Sequence, residues 1–250
     1  MKTIKLSLLV TLLFCLTTTL TFSQQAYLIH QDNVKPSMVW EYESIAKEFN
    51  DACKEHNPDT SWITVQMSDF KYLYVTPMEN FAEMDKTPFK DMANAMGDKF
   101  GDLFDRFDKC YDSHGNYVVF LNESLTYMPD GISQTQEGEN YRDYFYIYYK
   151  PENGKKIKEG MKAIKDMFQE KGSKSYYRIY HSGMGSMESY YIVAMSSKDE
   201  IDSAQKSKAN TELLGPERFD VFKKMMAYAE RMEDTDGKIR PDLAYSPKTE

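Results

Sequence analysis

The residues in this sequence best suited to chemistry are tyrosines spaced two apart, with one arginine among them. From Asp143 to Tyr149 the chain alternates, so that Tyr144, Tyr146 and Tyr148 share one face of an extended segment and Phe145 and Ile147 the other. Further on, Tyr176, Arg178 and Tyr180 oppose Tyr177 and Ile179 in the same way. Phenol rings stack on flat ligands and hydrogen-bond their polar edges, and a guanidinium grips a carboxylate or phosphate with two donors at once. The pattern points to a cavity for a small aromatic or amphipathic molecule. The competing reading is that the rings fill a seam between two sheets and pair their hydroxyls with one another, leaving Arg178 to a nearby acid.

Of the four histidines, His30, His56, His114 and His181, none belongs to a His-x-His or His-Glu-x-x-His pattern, and no Cys-x-x-Cys occurs, so no metal site is expected. His181 ends a strand at a Gly-rich turn and His30 lies near Asp32. Each could serve as an axial haem ligand or a general base, or simply bond to backbone. No motif requires a cofactor, and haem is an option only through those two side chains. Gly183-Met184-Gly185 is too short for a phosphate loop, and no Gly-x-Ser-x-Gly or Walker pattern occurs. Cys53 and Cys110 are either a disulfide or two buried free thiols. The 16 methionines sit mostly at helical core spacing and read as packing.

The elements that must position these residues read as strand, helix, strand, strand between Tyr141 and Ser197. The helix, Asn153 to Lys171, places Ile157, Met161, Ile164 and Phe168 on one stripe. A weaker copy lies upstream. It has a strand from Ala26 to Val34, a helix from Met38 to His56 with Trp40, Ile45, Phe49 and Cys53 as its stripe, and a hairpin of Ser61 to Met67 and Lys71 to Thr76. Lys35-Pro36 recurs 115 positions later as Lys150-Pro151, and the SWITVQM stretch recurs 114 positions later as SYYRIYH. That alignment gives Trp62, Thr64 and Gln66 the places of Tyr176, Arg178 and Tyr180. Trp62, with Tyr72 and Tyr74 of the hairpin, joins Tyr144, Tyr146, Tyr148, Tyr176, Arg178 and Tyr180 in the expected ligand-binding set.

Each hairpin is followed by a helical stretch, Glu79 to Cys110 broken at Thr87-Pro88 and Lys198 to Glu233 broken at Gly215-Pro216. Closing strands are expected at Tyr117 to Leu121 and, on an edge because of Pro241, at Ile239 to Tyr245. Two Pro-Asp segments, Tyr127 to Gly131 and Arg240 to Tyr245, are either ordinary turns or a pairing of the ends of the halves. The fold class is α+β: two ferredoxin-like βαββαβ repeats, residues 25–127 and 141–250, joined by a linker at 128–140. Helices cover one face of each antiparallel sheet, so the other faces are expected to pack face to face.

Met1 to Gln24 carries two lysines, an apolar run from Leu6 to Leu16 and a Thr-Phe-Ser-Gln end, the make-up of a cleavable signal peptide. A periplasmic or secreted protein without a membrane anchor is expected. The net charge of -8, more negative once Lys2 and Lys5 leave, disfavours nucleic acid as a partner.

Two halves that each open with a strand running into a Lys-Pro turn (Val34-Lys35-Pro36 and Tyr149-Lys150-Pro151) and then a charged amphipathic helix resemble the dimeric α/β barrel superfamily, here fused in tandem. The sequence is also similar to secreted Bacteroidetes proteins of unknown role, whose signal peptides often end in Phe-Ser-Gln. The resemblance implies a pseudo-dimeric barrel with an internal two-fold, a monomer, and a cavity between the sheets. Members of that superfamily include monooxygenases acting on quinols or haem, lactone isomerases, haem-binding chlorite dismutase-like enzymes and modules with no known chemistry. The expectation is a small-molecule-binding module; the alternatives are an oxidoreductase of the monooxygenase kind, or an interaction protein with a filled seam.

Overall fold

The computed structural model of the protein describes residues 24–248. The expected signal peptide lies outside them, save its last residue. Period-two alternation builds eight strands. They are β1 (Ala26–Val34), β2 (Ile63–Met67), β3 (Lys71–Met78), β4 (Tyr111–Leu121), β5 (Tyr141–Tyr149), β6 (Tyr177–Ser182), β7 (Ser189–Ser197) and β8 (Arg231–Ile239). Six α-helices connect them: α1 (Val39–His56), α2 (Lys90–Met96), α3 (Asp98–Phe107), α4 (Gly154–Glu170), α5 (Glu200–Leu214) and α6 (Arg218–Met226).

All strand pairs are antiparallel, and the sheet closes in the order β1-β3-β2-β8-β5-β7-β6-β4, with β4 returning to β1. The α+β class holds, but the arrangement is a single closed barrel. The sets β4-β1-β3-β2 and β8-β5-β7-β6 join edge to edge and become opposite walls of one ring, rather than two separate sheets laid face to face. Two short seams do the joining. Val65, Gln66 and Met67 pair with Ile239, Lys238 and Gly237, and Val119, Phe120 and Leu121 pair with Ser182, His181 and Tyr180. Closure leaves no long unpaired edge.

Three apolar regions follow. Inside the ring, Tyr27, Ile29, Val65, Met67, Leu73, Val119, Leu121, Tyr190, Ile192 and Ile239 pack together. Outside, α4 and α6 lay Ile157, Met161, Ile164, Phe168 and Met225 on Ile147, Tyr177, Ile179 and Tyr191. On the opposite wall α1 lays Tyr42, Ile45 and Ala46 on Tyr72, beside Phe107 and Cys110. Of the expected α1 stripe, Ile45 and Cys53 are buried and Phe49 packs beside them half-buried, while Trp40 is 83% exposed and Val39, Tyr42 and Ala46 complete the apolar face. Cys53 and Cys110 are buried free thiols in different clusters, and burial pushes the Cys53 thiol up to about 12.

The closing strands differ from expectation. β8 occupies Arg231–Ile239, which reads as a helix end in the sequence, while Pro241–Leu243 is a 3-10 turn beyond it. β4 likewise starts at Tyr111. Both stretches are polar because they run beyond the helix layer, where nothing requires an apolar side chain. Both expected breaks stand, at Gly215-Pro216 and at Thr87-Pro88, which separates the 3-10 turn Phe81–Asp85 from α2; a further break at Gly97 divides α2 from α3. Among the described residues, no helix is long and apolar enough to cross a membrane.

The α4–α6 contact depends on a glycine. A Cβ on Gly160 would sit 2.6 Å from Cβ and 2.8 Å from Cα of Met225. Helix propensity alone favours alanine over glycine by about 1 kcal/mol. Gly160→Ala is nevertheless expected to destabilise the protein by about 1–3 kcal/mol, because overpacking outweighs propensity. A chemical-denaturation midpoint higher than that of the unaltered protein would contradict the close approach.

Candidate functional site

Four of the expected site residues point into the barrel: Tyr144, Tyr146, Arg178 and Tyr180 line its cavity with Tyr27, Ile29, Ile63, Val65, Tyr117, Arg142 and Ile192. Tyr148 packs at the edge of the same interior cluster, its ring stacked on Tyr146 (6.1 Å) and under the Arg231 guanidinium (3.5 Å). Trp62, Tyr72 and Tyr74 do not join them. They lie on the outer face of the first wall, beneath α1, while Ile63, Val65 and Leu73 face inward. The reason is register. A uniform offset of 115 matches Ile63 to Arg178 and Trp62 to Tyr177, whereas 114 slips the strand by one residue and turns every side chain to the other face.

Outside, those residues have other partners. Trp62 Nε1 and Thr64 Oγ1 both donate to the Leu243 carbonyl (3.0 and 2.8 Å). Tyr72 donates to Glu43 (2.7 Å), which Arg240 grips through both of its terminal nitrogens (2.5 and 2.8 Å), and Gln66 accepts a further Arg240 bond (2.7 Å). Tyr176 also misses the interior. It lies just before β6, its hydroxyl donating to Asp130 (3.1 Å). The two Pro-Asp segments form turns and do not pair with one another; each makes one isolated bridge, Tyr245 to Trp62 and Tyr127 to Tyr177.

The cavity inside the barrel measures about 70 Å³. That admits a few waters; small-molecule sites usually run to about 300–1,000 Å³. Its notable content is charge. Arg142 and Arg178 are 2% and 3% exposed, and no carboxylate bonds either one. Arg142 sits one step back along the alternation that gives Tyr144, Tyr146 and Tyr148, so the same signal carried to its end finds it. Both guanidiniums are satisfied mainly by the expected linker. Arg142 donates to the carbonyls of Glu139 (2.5 Å), Tyr141 (2.9 Å) and Gln134 (3.2 Å), and Arg178 to that of Ser133 (2.5 Å) and to Ser196 Oγ (2.9 Å). Tyr180 donates to the Gln134 side chain, which completes the cavity wall. Arg178 Nε has no partner. Burial, and then the neighbouring Arg178 charge, pulls the Arg142 guanidinium below its usual range.

A second concavity, about 460 Å³, lies outside the barrel between β5, β7 and α5. It exists because α5 is polar all round: of its side chains only Leu214 is fully buried, so the helix has no apolar stripe to pull it onto the sheet. Tyr141, Phe145, Tyr176 and Met195 give it apolar walls, and Lys174, Glu139 and Lys206 give it polar ones. Within it, Asp143 accepts from Ser203 Oγ (2.5 Å). Burial raises the Asp143 carboxyl above its ordinary value, the Ser203 bond lowers it, and the facing Asp236 charge adds to the rise. The Tyr141 phenol is pushed up to about 12, by burial first and then by Asp143 and Asp236. The sequence signal for Asp143 was an acid on the helix-covered face of a strand otherwise lined by Tyr141, Phe145 and Ile147.

This groove does not fit haem. Its walls carry no histidine or cysteine; of its two tyrosines, Tyr141 is held as the neutral phenol, a poor iron ligand, and Tyr176 commits its hydroxyl to Asp130. His181 packs on Phe120 at 5.2 Å with its Nδ1 buried and unpartnered, and His30 lies on the other wall; neither lines the groove.

No protein-family model matches this sequence, and no curated protein is similar to it in sequence. Solved structures are similar in fold. An anthrone oxidase-like protein matches with a TM-score of 0.57 at 9% identity, over 88% of this chain and 92% of that one. A Fusobacterium nucleatum protein provisionally named a monooxygenase matches at 0.54 and 10%, over 88% and 94%. A mutant chlorite dismutase from Candidatus Nitrospira defluvii matches at 0.52 and 10%, over 89% and 94%. The chain therefore has the ferredoxin-like α/β barrel fold of these proteins.

The arginine tethers predict a separation of stability from order. Removing one of two buried like charges relieves repulsion and desolvation, so Arg142→Met should melt no lower than the unaltered protein. The same substitution should speed proteolysis and amide exchange at residues 133–140. Unchanged protection there would show that the guanidinium does not hold the segment.

Proposed function

We propose that this protein is an oxidoreductase of the monooxygenase-like barrel class, acting on a small aromatic or amphipathic substrate in the outer groove, with Asp143 taking the substrate's proton. The observation that carries the reading is a partly desolvated carboxylate in a 460 Å³ concavity walled by Tyr141, Phe145 and Tyr176. A raised carboxyl pKa brings a base nearer to the working pH, where it can both hold the basic form and drive proton transfer. The similarity in fold to an anthrone oxidase-like protein and to proteins provisionally named monooxygenases favours an oxidative reaction.

The stoichiometry of such a reaction is simple. A methylene carbon exchanges its two hydrogens for one oxygen atom of dioxygen, and the other oxygen atom leaves as water with those hydrogens. Asp143 would remove the first proton, and the aromatic walls would hold the ring as its electron density rises. Lys206, tied to Glu139 (2.6 Å) and Asp202 (2.9 Å), fixes α5 across the groove.

A second reading, binding without turnover inside the barrel, has the two uncompensated arginines in its favour. They would hold a small carboxylate or phosphate; the 70 Å³ cavity is too small for an aromatic ring. The remaining features belong to the same proposal. The chain is a tandem duplication of 25–127 and 141–250 joined at 128–140, exported by Met1 to Gln24, and monomeric because its second half supplies what a partner would bring. Support comes from the two Lys-Pro turns, which both enter 3-10 turns at Pro36–Met38 and Pro151–Asn153.

Oxygen uptake with a panel of hydroxylated polycyclic aromatics tests the oxidative reading. Turnover should rise with pH as Asp143 loses its proton, and Asp143→Asn should lower kcat by about 100-fold or more while leaving KM within a few-fold. Because the carboxyl is raised in the folded state, its contribution to stability is greatest at acid pH and is lost as pH climbs through the folded value. Asp143→Asn should therefore melt higher than the parent at neutral pH. No oxygen uptake with any substrate, together with anion binding that Arg178→Met abolishes, would replace this reading by the second. Separately, N-terminal sequencing of exported protein should find its start after Gln24, and a dimer in solution would overturn the monomer.

A further inference from the structure

On the outer wall opposite the groove, β1 and β4 bring together three side chains that no sequence motif joins. His30 and Asp32 are two apart on β1 and so share a face; His114 is the register partner of Asp32 on β4. One donor atom from each lies within 4.8 Å of the others. His30 Nε2 is 3.0 Å and His114 Nδ1 3.9 Å from Asp32 Oδ1.

Asp32 is 5% exposed, and its two oxygens are treated differently. Oδ2 accepts from the Tyr42 hydroxyl (2.5 Å), which is bonded in turn to that of Tyr74 (2.7 Å). Oδ1 is buried and has no hydrogen-bond donor, although His30 Nε2 is so near. The ring nitrogen is not aimed at it. That is the geometry of co-ligands: an ion about 2.0–2.1 Å from each of two atoms must lie off the line between them, so a nitrogen directed at the ion is directed away from its neighbour.

The surroundings suit such an ion. His30 Nδ1 lies 2.9 Å from Asn116 Oδ1, and donation to that oxygen leaves Nε2 with its lone pair free. The Tyr42 hydroxyl, bonded to that of Tyr74, holds the carboxylate from behind. Tyr111 stacks on the His114 ring at 4.8 Å, and His114 is half-exposed, so that one side of the cluster opens to solvent.

We infer that His30, Asp32 and His114 form a mononuclear site for a divalent first-row transition metal, with Asn116 and Tyr42 as positioning residues and open coordination positions toward solvent. Two imidazoles and one carboxylate suit zinc or iron(II) rather than calcium or magnesium, which take oxygen shells. The site is separate from the groove and rests on none of the reasoning about it.

The test is calorimetric titration of the full chain with Zn2+ alone. One ion per chain is expected, with Co2+ giving the d–d absorption of a low-coordinate nitrogen and oxygen shell. His114→Ala, at a half-exposed position, should weaken binding at least 10-fold, and Asn116→Leu by about 10–100-fold through the orientation of His30. His56→Ala should leave it unchanged. Absence of stoichiometric binding, or binding that survives both His114→Ala and Asn116→Leu in folded protein, would overturn the site and leave His30 and Asp32 as an ion pair.

Discussion

Closure of the sheet is the constraint on which the remaining structure depends. A ring of strands has an inside and an outside, and each side chain belongs to one or the other by the parity of its position. The ring is shut by two seams of three residue pairs each, β2 on β8 and β4 on β6. Those pairs fix which tyrosines meet inside and which lie beneath helices. Within the first wall, β1 pairs with β4 in the register that faces Asp32 with His114.

Much of this was legible in the sequence, and the rest failed for identifiable reasons. Alternation alone places Tyr144, Tyr146, Arg178 and Tyr180 inside, because a tyrosine face opposite an apolar face is unambiguous. The first wall is harder. Ile63, Val65, Trp62, Thr64 and Gln66 would suit either side, so the assignment rested on a repeat offset wrong by one. Trp62 falls on the wrong face for that reason, and Tyr72 and Tyr74, paired with Gln66 and Thr64, lie outside with it. β8 was hidden because a strand beyond the helix layer has no need of apolar residues, and Arg231 to Asp236 is polar almost throughout. Of the His30, Asp32 and His114 cluster only the nearness of His30 to Asp32 is visible: its third member arrives through strand pairing, which sequence spacing does not record. The groove arises from a helix that does not pack, and absent burial leaves no positive signature.

The two concavities are linked through one residue. Glu139 gives its carbonyl to Arg142 in the barrel and its carboxylate to Lys206 on α5. Movement of α5 is thereby tied to the segment lying across the end of the barrel. The two buried guanidiniums sharpen the connection, since each finds at least half of its acceptors in that segment. Loosening Glu139 would disturb both places at once.

The grip on residues 133–139 has an evolutionary corollary. The acceptors that the two arginines find there are all main-chain oxygens, which every amino acid carries, so substitutions leave that hold largely untouched except at Gln134 and Glu139, whose side chains accept from Tyr180 and Lys206. A change in its length would not, because the oxygens at 133, 134 and 139 would fall out of reach together. Relatives of this protein should therefore vary freely in the identity of these residues, Gln134 and Glu139 apart, and hardly at all in their number.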